Sequence, residues 1–170
     1  MKLTEAKQKF IDAWGLTGSS WGINRTMAQI HALLLISHEP LSAETIMEEL
    51  KISRGNVNMN LHALMDWRLA QKVHKPGERK EFFEAEKDIW EVARRIMEER
   101  KKRELEPVIR SMEEITHLDG DPKDPANLAF LKTVNDITKF AGQIDKLLAQ
   151  MSKAADSAFI STILKIVKIK

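Results

Sequence analysis

Apolar positions fall at helical spacing along most of this chain, with one interruption. Leu3, Ala6, Phe10 and Trp14 mark a first helix that the pattern ends near Gly15. The following GLTGSSWG reads as a glycine/serine turn; no Gly-Lys-Ser/Thr follows, so it is not a phosphate loop. Ile23, Met27, Ile30 and Leu34 predict a second helix, stopped at His38-Glu39-Pro40 because proline disfavours helix in the residue before it. Ser42 can cap a third helix with Ala43, Ile46, Met47 and Leu50 on its buried stripe. After a break at Lys51-Ile52, Ser53 caps a fourth helix running to about Trp67. Then the period changes. LAQKVH (69–74) and EFFEAE (81–86), joined by KPGERK, alternate in part around a Pro-Gly turn and predict a β-hairpin, with a short strand near Leu41.

From Asp88 the helical period returns. Asp88 can cap, Ile89, Ala93, Ile96 and Met97 form a stripe, and Pro107 should kink or divide the helix near Glu106. Leu105, Val108, Ile109, Met112 and Ile115 continue beyond it. HLDGDPKDPAN is a loop, and Asp124 caps the next helix with Pro125 at its first position. Phe130, Val134, Ile137, Ala141, Ile144, Leu148 and Met151 then alternate spacings of 4 and 3, a coiled-coil-like seam. A last helix at about 155–169 is nearly saturated with apolar residues. One chain would struggle to cover both surfaces, so a homodimer is expected.

The fourth helix, "ISRGNVNMNLHAL", is full of weak helix formers, Gly55, Asn56, Asn58 and Asn60 among them. Projected at about 100° per residue, Val57, Leu61, Leu64 and Met65 form its buried side, with Gly55, Met59, His62 and Asp66 opposite. Asn56 lies about 125° from the buried centre, towards the outer face, while Asn60 belongs to a shoulder of the core. The order helix, helix, break, helix, hairpin is that of a winged helix–turn–helix. Ser53, Arg54, Gly55, Asn56 and Asn58 are the candidate major-groove residues of the recognition helix. Lys75, Arg79 and Lys80 are the candidate wing contacts, a compact cationic finger suited to phosphates.

Composition narrows the function classes. The 170 residues are 43% hydrophobic and 31% charged, as in a folded domain and unlike a disordered chain. Net charge is only +2, so a basic surface must come from local clustering. The absence of cysteine excludes disulfides and thiol catalysis and suits a reducing compartment. The longest apolar run, ALLLIS, is too short to span a bilayer, and the N-terminus lacks a signal-peptide core, so a cytoplasmic protein is expected. The five histidines show no ligand spacing, and Asp119, Asp121 and Asp124 lack calcium-loop spacing. No catalytic arrangement stands out; no metal, cofactor or enzyme activity is expected. RRIMEERKKR (94–103) reads as a solvated helix face with i, i+4 ion pairs such as Glu99 with Arg103.

Three motifs occur together: W-G-x-N-R-T before the second helix, S-R-G-N-V-N-M-N-L in the fourth, and K-P-G-E-R-K at the wing. With them the chain, over about residues 14–86, resembles the GbsR-type branch of the MarR superfamily of transcriptional regulators. The resemblance implies a mainly α protein with a small β-hairpin wing: an N-terminal helix and loop at 1–21 joining the dimerisation region, a DNA-binding domain at 22–86, and a helical dimerisation and possible effector region at 87–170. It implies a homodimeric repressor of compatible-solute genes on a pseudo-palindromic double-stranded operator, with a small quaternary ammonium compound as effector. Trp14, Trp21 and Trp90 are the candidate aromatic cage for such a cation. Lys51 and Arg68 stand at turn positions where the family often has glycine, which bears on local strain. The competing reading is a winged-helix protein-interaction module, which the cationic wing disfavours.

Overall fold

The structure is a computed structural model that describes residues 1–20, 22–115 and 123–155, the last five by backbone alone. Trp21, Met151, Asp119, Asp121 and most of the apolar C-terminal stretch therefore lie outside the described side chains. Two compact units are present, Met1–Val92 and Ala93–Lys170.

The first unit is built around α2 (Arg25–Ile36), which buries seven of its 12 residues, Met27, Ala28, Ile30, His31, Ala32, Leu33 and Leu34. Such a helix cannot leave its ends to water alone. Asn24 Oδ1 accepts from the amides of Thr26 and Met27 at 2.9 and 3.2 Å. At the other end Lys87 Nζ donates to the carbonyls of Leu34, Leu35 and Ser37 at 2.6, 2.9 and 2.9 Å. A cation there satisfies orphan carbonyls and the negative end of the helix dipole. Partial burial pulls the Lys87 ammonium below its ordinary range.

The first helix, α1 (Leu3–Ser20), runs five residues past the expected stop at Gly15. Gly15 and Gly18 are buried helix residues, not turn residues. A methyl added at Gly18 would sit 2.6 Å from Ala28 Cβ, and one at Gly15 would sit 2.7 Å from Gln29 Cγ. The glycines thus serve the close approach of α1 to α2, and the turn is made by Gly22 at φ +77°. Trp14 stacks on Phe10 at 5.6 Å and lies 6.1 Å from the His31 ring.

β1 (Leu41–Ser42) leads into α3 (Ala43–Leu50), which precedes α4 (Arg54–Asp66), β2 (Ala70–Val73) and β3 (Phe82–Ala85). The antiparallel sheet has the order β1-β3-β2, pairing Leu41 with Phe83 and Ala70 with Ala85. Ile46, Val57, Leu61, Leu64, Leu69 and Phe83 close the core between α2, α3, α4 and the sheet. The described chain is thus mostly helical with a small three-stranded sheet, the architecture of a winged helix–turn–helix.

In the second unit α5 (Ile89–Arg100, starting at the end of the first) passes through a π turn (Lys101–Leu105) into α6 (Glu106–Glu114). Pro107 occupies the first turn of α6, so the helix divides at Glu106, and the π turn before it absorbs the missing donor. The expected α5 stripe is out of phase: Ile89 and Ala93 are exposed, and Val92 is the buried residue. The basic run is locally neutralised, with Arg94–Glu98 and Arg103–Glu99 both at 2.6 Å. Asp124 Oδ1 caps α7 (Pro125–Ala155) through the Ala126 amide. The α7 seam splits: Val134 and Ala141 are buried, while Phe130 and Ile137 are exposed, as are Phe140 and Leu147 beside them. α6 and the π turn cover only one side of that helix. Among the described residues no helix is long and apolar enough to cross a membrane.

Two measurements probe this packing. Gly18→Ala should lose stability despite alanine's helix preference of about 1 kcal/mol, because overpacking a rigid methyl costs about 1–3 kcal/mol. Gly15→Ala meets only a flexible glutamine and should keep its thermal midpoint; equal loss in both variants would contradict the close-approach account. His31 is 2% exposed, its Nε2 without a partner among the described residues. Burial first, and the nearby Lys87 charge second, pull its pKa down to about 4. Its unfolded value is near 6.5, so the unfolded chain binds more protons between these pH values, and stability rises with pH across that window. Denaturant titrations from pH 4 to 6.5 should show a rise that is smaller by about 3 kcal/mol in His31→Phe.

Candidate nucleic-acid interface

The helix–turn–helix is set by its caps. Ser42 Oγ accepts from the Thr45 amide at 3.2 Å, and Ser53 Oγ from the Asn56 amide at 3.3 Å. Between α3 and α4, Lys51 adopts φ 53°, and beyond α4 Arg68 adopts φ 58°. These are the described non-glycine residues in the left-handed region, and they are the two positions where glycine was the expected residue. The Ile52 amide reaches the Met47 carbonyl at 3.3 Å and closes the turn.

Val57, Leu61 and Leu64 hold α4 to its neighbours, and Gly55, Asn58, Met59, His62 and Asp66 are exposed. Asn60 is 3% exposed, a scaffold residue. Its Nδ2 donates to the Asn56 carbonyl at 2.8 Å and to Asn56 Oδ1 at 2.7 Å. Asn56 is therefore half-buried with its amide oxygen engaged, not turned outward as the projection places it. The bond from Asn60 takes one of the two lone pairs on the Asn56 oxygen and draws the amide toward Asn60. Ser53, Arg54, Gly55 and Asn58 are the exposed candidates at the start of α4. The Arg54 side chain is 67% exposed while paired to Glu44 at 2.8 Å.

At the wing tip Pro76 and Gly77 (φ +82°) form a tight turn closed by the Glu78 amide on the Lys75 carbonyl at 3.1 Å. Lys75 is drawn back from the tip: its Nζ lies 4.7 Å above the Phe82 ring and 3.4 Å from Glu39. Arg79 and Lys80 are exposed. Lys72 pairs with Glu81 at 2.7 Å across the hairpin, and that hydrogen bond holds the Glu81 carboxyl below its usual range.

A wing residue and a recognition-helix residue both act on Glu44. The Glu44 carboxyl is depressed first by its own backbone amide and by Ser42, and also by both Lys80 and Arg54. Glu81 in turn feels His62 and His74. Lys80 at the base of the wing and Arg54 in the first turn of α4 thus both lie near Glu44.

Residues 21–81 match the model of the MarR family. Over these residues the chain is similar to the winged-helix domain of that family. A Bacillus subtilis (strain 168) protein, YvaV, described as a candidate HTH-type transcriptional regulator, is 20% identical over 89 residues. The match covers 52% of this chain and 50% of that protein, so the matched region spans about half the length of its curated relative. A crystal structure described as that of a transcriptional regulator aligns over 97% of this chain and 99% of its own with a TM-score of 0.58 at 19% identity, a likeness of fold.

Trp14 and Trp90 make no ring contact with each other among the described residues; Trp90 is half exposed at the start of α5. Sequence reading missed Lys87 as the cap of α2, because a lysine 50 residues beyond a helix end carries no local signal.

The strained turn gives a direct test. Lys51→Gly should raise the urea midpoint by the equivalent of about 0.5–1 kcal/mol. An unchanged or lower midpoint would show that the left-handed lysine is not strained.

Proposed function

We propose that this protein is a homodimeric, sequence-specific DNA-binding transcriptional repressor. The observation that carries this reading is an exposed α4 first turn with Arg54 and an exposed cationic wing with Arg79 and Lys80, within a segment matching the MarR family. The free amides at the α4 N-terminus and Arg54 supply groove contacts; Arg79 and Lys80 supply phosphate contacts. A second copy supports the symmetry that a pseudo-palindrome requires, and the exposed Phe130, Ile137, Phe140 and Leu147 stripe on α7 offers it a surface.

The finer part of the proposal is the GbsR-type branch: control of compatible-solute genes with a quaternary ammonium effector. It is supported by the three sequence motifs and by a half-exposed Trp90 ring, whose face suits a trimethylammonium group.

Gel retardation on the gene's own upstream DNA, with excess nonspecific competitor, tests the function. Specific retention should fall steeply with salt. Arg79→Ala should weaken specific and nonspecific binding alike and lower the salt slope by about one per protomer. Retention no better than competitor overturns the DNA-binding reading. Choline and betaine should shift the retention and saturably change tryptophan fluorescence; neither response occurring would remove the effector. A concentration-independent monomer in sedimentation would remove the dimer.

A further inference from the structure

The outer face of α4 carries a residue that neither caps, nor packs, nor pairs. Met59 is 60% exposed and sits one turn beyond Gly55, on the same stripe as His62 and Asp66. A thioether in water forfeits the burial free energy that an apolar side chain otherwise supplies. No fold requirement places it there: Val57, Leu61 and Leu64 already secure the helix on the opposite side. At Gly55 a Cβ would meet nothing within 4 Å, so the backbone one turn earlier is bare and can approach a surface closely. The charges along α4 give it a direction. Arg54 and the positive helix end stand at one end and Asp66 at the other, so a polyanion is met by the N-terminal half and repelled from the C-terminal end. Met59 lies in that N-terminal half.

The geometry points to Met59 as a specificity-determining residue that reads the 5-methyl group of thymine on the floor of the major groove. The inference rests on the DNA-binding reading above. The reason is chemical: each base pair shows the major groove hydrogen-bonding edges, and the apolar group among them is the thymine methyl. An unbranched, polarizable side chain beside a bare glycine turn has the reach and adaptability to cover it. Asn58 and His62 flank Met59 and supply polar edges for the neighbouring bases.

The test removes one methyl at a time. Binding sites are selected from a random-sequence duplex pool with the full-length protein. The recovered site is then remade with deoxyuridine, which lacks the 5-methyl, at each thymine in turn. The wild type should lose affinity about fourfold at one thymine in each half-site. Met59→Ala should bind the thymine and uracil forms at that position equally, while Met59→Leu keeps the discrimination. Circular dichroism and thermal midpoint should be unchanged in both variants, since the residue is exposed. A recovered site with no methyl-sensitive thymine, or sensitivity that survives in Met59→Ala, overturns the assignment of Met59 and leaves DNA binding standing. Recovery of no site at all overturns the DNA-binding reading and the Met59 inference with it.

Discussion

The first unit depends on the burial of α2 from all sides. α1 packs along one flank, α3 and α4 along others, and β3 closes the remainder. Side chains satisfy polar groups at both ends of this helix. Asn24 does this locally. Lys87 does it from across the unit, donating to three carbonyls from the chain just after β3. That single side chain ties the exit of the hairpin to the end of the central helix, and so fixes where the chain leaves the wing. The same enclosure isolates His31, which stays neutral because the interior and Lys87 both oppose its charge.

With α2 fixed, α4 needs only one side to be held. Val57, Leu61 and Leu64 give that hold, so helix propensity on the outer side is released from any stabilising duty. Glycine at 55 and asparagine at 58 cost a few tenths to about 1 kcal/mol each as helix formers, which tertiary burial of three aliphatic side chains outweighs. The surface that results is open, bare at Gly55 in its first turn, and electrically positive at its start, where Arg54 is exposed. The wing completes it, since Lys80 and Arg54 act on the same carboxylate.

How much of this was readable beforehand follows from which interactions are local. Caps are local, so Ser42, Ser53, Asp88 and Asp124 announced the helix starts correctly, and the Pro-Gly turn announced the hairpin. Lys51 and Arg68 were legible as strained positions because the resemblance supplied the residue that ought to stand there. Gly15 and Gly18 misled because glycine signals both a turn and a close helix crossing, and only the partner Ala28 distinguishes them. Asn56 misled for a related reason. Its angle on the helix was right, but Asn60 one turn on draws its amide inward, and a projection carries no information on side-chain hydrogen bonds.

The α7 seam shows the limit of periodicity most clearly. A run of apolar residues at spacings of 4 and 3 states how wide an apolar arc is, not what covers each part of it. Val134 and Ala141 are covered by the unit's own helices, while Phe130, Ile137, Phe140 and Leu147 form an adjoining strip left to solvent. The basic run before Pro107 carries the i, i+4 ion pairs its spacing predicts: Arg103 meets Glu99 at 2.6 Å, Arg94 meets Glu98 at 2.6 Å, and Arg100 meets Glu104 at 2.9 Å, while Lys101 meets Asp145 at 3.1 Å. The exposed strip beside a covered one is the surface on which the proposed homodimer rests, since a second copy of the same helix could cover it.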